Sequence, residues 1–250
     1  MNSFEKSRPI QKPIGGPHLT AEYYEHYNSL FDLAMMESRI KAMHLPEEVS
    51  QRLKEPAQEM FLVLGSATTK NINGVTSIVH HVHGKKAALN DTVIFVDVND
   101  HSIQLHQKAI RELDDASWSG VSDREKSIDH FPYPRFMVRK ADIRSLPPDL
   151  DSVDVALSDY TINYLDSEKD IGDFFREVSR VLKENGVLYI ALRYSQNGQA
   201  QERINQGGAE ICTFRLGLYR SLAEKAGLRM LTAEPENSAG DILIVFQKEV

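Results

Sequence analysis

Apolar positions in this chain fall into short continuous runs, and amphipathic stretches lie between them. The run MFLVLG at 60–65 predicts a first strand, and TVIFVDV at 92–98 predicts a second that is apolar until Asp97. Short apolar runs bounded by polar residues suit strands that are buried on both faces. RFMVRKADI at 135–143 predicts a third strand, closed by the turn SLPPDLDS. A fourth begins at Val153, and VLYIALRY at 187–194 is a fifth. LRMLTAEPE at 228–236 and DILIVFQKEV at 241–250 close the chain as two strands joined by the turn-like NSAGD.

The segments between the strands carry helical spacing. In 74–85, Ile78, Val79 and Val82 share a face and Gly84 suits the helix end. In 101–115, Ile103, Leu105, Ala109, Ile110 and Leu113 recur at near-helical intervals. The fourth and fifth strands are joined by a helix ending FFREVSRVLKENG, with a glycine-closed turn at Gly186. A further helix over 214–227 is closed by Gly227. The spacing predicts a loop with at most a short helix over 116–134, and a long polar connection over 195–210.

Ahead of the first strand, residues 1–18 hold Pro9, Pro13, Gly15, Gly16 and Pro17 and are expected to be a flexible lead-in. Thr20 offers an N-cap for a helix over 20–43, and 47–55 suits a second, shorter one. The expected organisation is a helical segment at 19–57 followed by one domain at 58–250. Strand–helix alternation of this kind predicts a doubly wound α/β domain with a mostly parallel sheet. Such sheets bind ligands in the crevice at the carboxyl ends of their strands.

Composition narrows the partners. Against 29 basic residues stand 36 acidic ones, a net charge of −7, which argues against a nucleic-acid partner. Cys212 is the only cysteine, so no intrachain disulfide forms and a reducing compartment is expected. No apolar run reaches membrane-spanning length, and the start MNSFEKSRPIQKP has no signal-peptide core. The expectation is a cytoplasmic protein with no membrane partner, and the oligomeric state is not read. His80, His81 and His83 do not make a metal site, because only His80 and His83 share a helix face and no cysteine or paired acid completes a ligand set. Cys212 sits in no nucleophile motif and reads as a buried thiol.

One passage is specific. VSRVLKENGVLYI resembles the helix-to-strand passage of class I S-adenosylmethionine-dependent methyltransferases, and the element order from about 58 to 250 resembles their whole fold. The resemblance implies a Rossmann-like, seven-stranded sheet whose last strand runs antiparallel, with the N-terminal helices as a lid. It also implies S-adenosylmethionine as cofactor and a small molecule as methyl acceptor, with transfer by direct displacement. Family members carry an acid and three glycines around the first loop. Here Val63 stands at the acid position, Gly65 is the one glycine kept, and Ala67 and Thr69 replace the others.

Carried onto this chain, the family pattern puts Gly65, Ser66 and Ala67 against the cofactor. Asp97, with Val98 beside it, would accept from the ribose hydroxyls, unless it serves as an N-cap, a task Asn99 or Asp100 suits better. Asp142 would accept from the adenine amine and Ile143 would lie on the ring. The alternative is that Asp142 is a turn residue paired with Arg144 or Lys140. At the end of the fourth strand, Ser158 would border the cofactor, and Asp159 and Tyr160 would be the catalytic candidates on the substrate side. Asp159 could accept from an acceptor amine or hydroxyl, act as a base if burial raised its pKa, or cap the next helix. Tyr23, Tyr24 and Tyr27 would cover the site from the lid, or dock that helix on the domain. The glycine-poor loop also leaves open a second function, a binding or scaffold protein that keeps the fold without catalysis.

Overall fold

The structure is a computed structural model that describes residues 34–42, 45–55, 58–65, 71–84, 90–119, 134–197, 199–206, 209–235 and 241–249. Two short helices, α1 (Ala34–Ala42) and α2 (Glu47–Arg52), precede the sheet. Next come β1 (Met60–Leu64), α3 (Asn71–Val82), β2 (Thr92–Asp97), α4 (Asp100–Ser119), β3 (Arg135–Lys140) and β4 (Val153–Asp159). A 3₁₀ turn at Thr161–Tyr164 leads into α5 (Glu168–Val181) and β5 (Leu182–Arg193). The chain closes with β6 (Gln201–Gln206), β7 (Ala209–Phe214), α6 (Leu216–Lys225), β8 (Leu228–Pro235) and β9 (Asp241–Lys248).

Seven strands form one sheet in the order β3-β2-β1-β4-β5-β9-β8. The first five pair in parallel, and β9 runs antiparallel to both β5 and β8. The Rossmann-like, doubly wound reading therefore holds, including the antiparallel closing strand. Strand order reverses between β1 and β4, and this is the topological switch point of the sheet.

Each face of the sheet has its own core. Leu62, Leu64, Ala156, Leu188 and Ile190 pack under α5 and α6, while Phe61, Val63, Leu157, Tyr189 and Val245 pack under α1, α2 and α3. The alternation follows from side chains pointing to opposite faces along a strand. Helix α5 shows how the sequence makes a layer. Ile171, Phe174, Phe175 and Val178 recur at helical spacing and are buried. Ser167 caps the helix by accepting from the Asp170 N–H.

At the amino ends of the strands lies a buried ionic cluster. Asp91 accepts from the Glu59 N–H at 3.0 Å and from His83 Nδ1, which is 2.9 and 3.0 Å from its two oxygens. His83 Nε2 is 2.8 Å from the Glu55 carbonyl. Both ring nitrogens thus face acceptors, so the ring is the doubly protonated imidazolium. Burial alone would lower the His83 pKa, but the hydrogen bonds to Asp91 and Glu55 raise it overall. Burial pushes the Glu59 carboxyl up to about 7 against the pull of His83, and burial likewise raises Asp91. Asp154 joins the cluster, accepting from the Met60 N–H at 2.8 Å and from Lys183 Nζ at 2.9 Å.

The cluster sets the sign of a pH dependence. A carboxyl with a raised folded-state pKa holds its proton better when folded, so stability falls as pH rises from its ordinary range to the folded value. A histidine with a raised pKa contributes stability that is full below its ordinary value and lost as pH rises through the folded one. Glu59, Asp91 and His83 therefore act in the same direction. The thermal midpoint is expected to fall between about pH 5 and about pH 7, and Glu59→Gln to flatten the slope. A wild-type midpoint that held level or rose over that span would contradict the cluster's ionisation.

Several sequence expectations change in detail. The segment 195–210 is not one loose connection. It contains β6 and leads into β7, and the two pair from Gln201 with Phe214 to Gln206 with Ala209. The turn after α5 is made by Asn185, whose φ is 63°, and not by Gly186. Gly186 is needed for another reason, because a Cβ there would stand 2.9 Å from the Lys183 carbonyl oxygen and 3.0 Å from that of Val153. Helix α4 runs to Ser119, four residues beyond its expected end, and β3 stops at Lys140, short of Ile143. Helix α3 starts at Asn71, three residues early. Residues 20–33 of the expected first helix lie outside the described residues.

Helices α1 and α2 bury Met36, Ile40, Val49 and Leu53 against α3 and the sheet. Arg52 donates to the Asn185 carbonyl at 2.8 Å, and Glu55 accepts from His83, so this segment is tied to the amino ends of the strands.

Candidate functional site at the carboxyl ends of the strands

Strand register builds the site. Leu64 pairs with Val96 on one side and with Ser158 on the other. The residues that follow are Gly65, Asp97 and Asp159. A glycine and two carboxylates thus emerge at one level, on β1, β2 and β4 around the switch point. The Gly65 N–H donates to the Val96 carbonyl at 2.8 Å and holds the end of β1 level with β2.

Asp97 is buried, at 4% exposure. The Asn99 N–H donates to its Oδ1 and the Ser102 hydroxyl to its Oδ2, each at 2.9 Å. Burial raises its pKa, opposed by these bonds and by one from the Val98 N–H. Asp97 does not cap α4. That role belongs to Asn99, whose Oδ1 accepts from the His101 N–H at 2.9 Å. A carboxylate offers about four acceptor positions, so those three bonds leave about one position for a further donor.

Gly65 is glycine of necessity. Its φ is +68°, and a Cβ there would lie 2.2 Å from Thr161 Cγ2. Thr161 stands over this glycine because its hydroxyl donates to the Leu64 carbonyl at 2.9 Å. Local sequence does not reveal this contact, since 96 positions separate the partners. Ser66 and Ala67, the rest of the expected loop, lie outside the described residues, as do Tyr23, Tyr24 and Tyr27.

Asp142 is paired with Arg144 in this structure. Arg144 Nε is 3.0 Å from its Oδ1, and the Arg144 backbone N–H donates to the same oxygen at 2.8 Å. Arg144 also donates to Asp170 at 2.8 Å and so ties this turn to the start of α5. Hydrogen bonding from Arg144 lowers the Asp142 pKa, so its charge persists at neutral pH. Ile143 is buried in the first core, beside Leu146 and Leu150.

At the tip of β4, Ser158 is fully buried and its Oγ has no hydrogen-bond partner among the described residues. Asp159 and Tyr160 are partly buried. Tyr160 has φ 54° and ψ 2°, a left-handed conformation that a bulky residue adopts only at a cost. Its N–H donates to the Ala191 carbonyl at 2.8 Å. Strain of this kind concentrates at functional sites. Asp159 does not cap α5, because Ser167 does.

Asn163 is a site-building residue that local sequence reasoning misses. It is fully buried in the 3₁₀ turn and donates to the carbonyls of Arg193 and Cys212 at 2.8 and 3.0 Å. It also accepts from the Arg193 N–H at 2.9 Å. One amide thus fastens the turn after β4 to β5 and to the β6–β7 hairpin. Gly207 and Gly208, a two-residue pair between polar runs, were the available signal for that hairpin.

Residues 84–190 match the family model described as "Methyltransferase domain". The matched span starts after β1 and its glycine-poor loop and ends within β5. A methyltransferase of Clostridium acetobutylicum described as S-adenosylmethionine-dependent has a similar structure, with TM-score 0.60 and 13% identity over 92% of this chain and 98% of that one. A SAM-dependent methyltransferase of Methanosarcina mazei gives 0.56 and 16%, over 83% and 100%. The [4+2]-cyclase SpnF gives 0.57 and 14%, over 96% and 98%. No curated protein matches the sequence.

Residues 84–190 thus resemble a methyltransferase domain, and the order of the sheet is that of the Rossmann-like fold these neighbours share. At these identities the structural neighbours show the fold alone, and one of them bears the name of a cyclase. Among the described residues no helix is long and apolar enough to cross a membrane.

Proposed function

We propose that this protein is a methyltransferase that uses S-adenosylmethionine and acts on a small-molecule acceptor. The observation that carries the reading is the level placement of Gly65, Asp97 and Asp159 around the switch point, with Asp97 buried but not saturated. Two features suit a bound nucleoside: the acceptor position left on Asp97, and the hydroxyl of Ser158, unpartnered among the described residues, between the tips of β1 and β5.

In this reading Asp97 accepts from the ribose, with Val98 beside it. Gly65, Ser66 and Ala67 line the methionine side, Ser158 borders it, and Asp142 and Ile143 flank the adenine. Bound S-adenosylmethionine supplies an activated methyl group on a sulfonium. The chain's own contribution is then orientation and exclusion of water, and a dedicated acid–base pair is not required. Asp159 orients the acceptor by accepting from its hydroxyl or amine, and Tyr160 borders the same space. Tyr23, Tyr24 and Tyr27 are proposed to close the site from the lid segment.

A second reading has specific support. Thr161 fills the space over Gly65, and Arg144 already occupies Asp142. A binding or scaffold protein on this fold would show the same features. Titration calorimetry with S-adenosylmethionine and S-adenosylhomocysteine separates the two. Micromolar binding of both is expected. No heat at about 1 mM ligand, a binding energy of about 4 kcal/mol, would leave only the scaffold reading.

A further inference from the structure

A cavity lies on the face of the sheet covered by the N-terminal helices and α3. Its volume is about 240 Å³, and it opens at the seam between the N-terminal helices and the sheet domain. Ile40, Leu45 and Leu53 come from the helical segment and Val82 from the last turn of α3; they give part of the wall an apolar character, and Ser50 adds a polar group. Tyr189 on β5 also lines it and is buried. Lys41 and Lys54 line the same space, along with His81, and among the described residues no acidic one does. In a chain with net charge −7, a basic lining free of carboxylates is a local inversion.

We propose that this seam is a second ligand site, and that it takes a small amphipathic carboxylate with a short alkyl or aryl body. The apolar part of the wall, Ile40, Leu45, Leu53 and Val82, would bury the body, since burying apolar surface is the main non-directional gain. The lysine ammonium groups would meet the carboxylate, where a charged donor strengthens the hydrogen bond. The buried phenol would add one neutral donor. Its pKa is raised by burial, so it stays protonated at neutral pH. The volume falls below the roughly 300–1,000 Å³ usual for drug-sized ligands, which limits the body to a short chain or a single ring. Lys41 is already oriented, because its Nζ donates to Ser77 at 2.9 Å. The ligand would touch α1, α2, α3 and β5 at once, so its binding would clamp the helical segment to the domain.

The test uses the full chain with octanoate and benzoate, and with octanol and benzyl alcohol as uncharged counterparts. Binding is read by ligand-observed NMR and by the shift in thermal midpoint. The carboxylates are expected to bind and to raise the midpoint, and each alcohol to bind at least about tenfold more weakly, the scale of a lost charge-assisted hydrogen bond. Lys54→Glu alters an exposed side chain and is expected to weaken benzoate about tenfold or more without changing the fold. Tyr189→Phe is expected to weaken it severalfold. Equal affinity for the alcohols, unchanged benzoate affinity in Lys54→Glu, or no binding at about 10 mM would overturn the proposal. Displacement of benzoate by S-adenosylmethionine would also overturn it, by placing the carboxylate at the switch point.

Discussion

Asp97→Asn is expected to bind S-adenosylmethionine about ten- to a hundredfold more weakly than the wild type while remaining folded. A hydrogen bond to a charged group contributes roughly 1.5–3 kcal/mol, and the amide keeps the shape but loses the charge and one acceptor. Asp97→Ala should lose as much affinity and some stability besides. The carboxylate satisfies the Asn99 N–H and the Ser102 hydroxyl, and removing it leaves both buried donors unpaired at a cost of about 1–3 kcal/mol. Calorimetry gives the affinity and thermal melts give the stability. The pair of variants separates the two roles of this one side chain. If Asp97→Asn bound with unchanged affinity, the nucleoside would lie elsewhere and the proposed function would lose its anchor.

The largest effect on stability is expected far from that site. Asp91→Ala should cost about 3–5 kcal/mol, because it leaves the His83 imidazolium buried without its partner. It also strips the acceptor from the Glu59 N–H. For a protein of this size that corresponds to a fall in thermal midpoint on the order of 10 °C. Asp91→Asn should recover part of the loss, because an amide oxygen can still accept from the ring. Urea unfolding of the two variants provides the comparison. A loss below about 1 kcal/mol in Asp91→Ala would mean that the ring is neutral and that the cluster has been misread.

The sheet strands were legible because both faces are covered. A strand buried on two sides reads as an unbroken apolar run, as in Leu62, Val63 and Leu64, and the runs fell where the strands lie. The crossover helices were legible for the complementary reason. They bury one stripe, as Ile171, Phe174, Phe175 and Val178 do. The β6–β7 hairpin was not legible in this way. Its first strand offers only Ile204 as an apolar position among Gln201, Glu202, Arg203, Asn205 and Gln206. The glycine-closed turn was misplaced because Asn also tolerates the left-handed region. Asn185 takes that conformation, while Gly186 answers the crowding of carbonyl oxygens.

The site divides along a similar line. Asp97 stood out because it breaks an apolar run at a strand tip, and β2 ends there. Asp142 carried two readings because a carboxylate in a turn is chemically ambiguous until its neighbours are placed. The structure places Arg144 on it and Asp170 behind that arginine. Thr161 and Asn163 had no local signal, since their partners lie on other strands.

The order of apolar runs and amphipathic stretches determined the architecture, because burial on one face or two leaves a periodic mark that needs no neighbours to be read. The same information located the strand tips where a ligand would sit. Only the folded chain decided which carboxylates remain available there, because each pairing joins groups far apart in sequence. It also decided that Glu59, His83, Asp91 and Asp154 share one buried cluster, although 32 residues separate Glu59 from Asp91 and 94 separate Met60 from Asp154. Periodicity reports the environment of a single residue, whereas ionisation and hydrogen bonding depend on which residues the tertiary fold brings together.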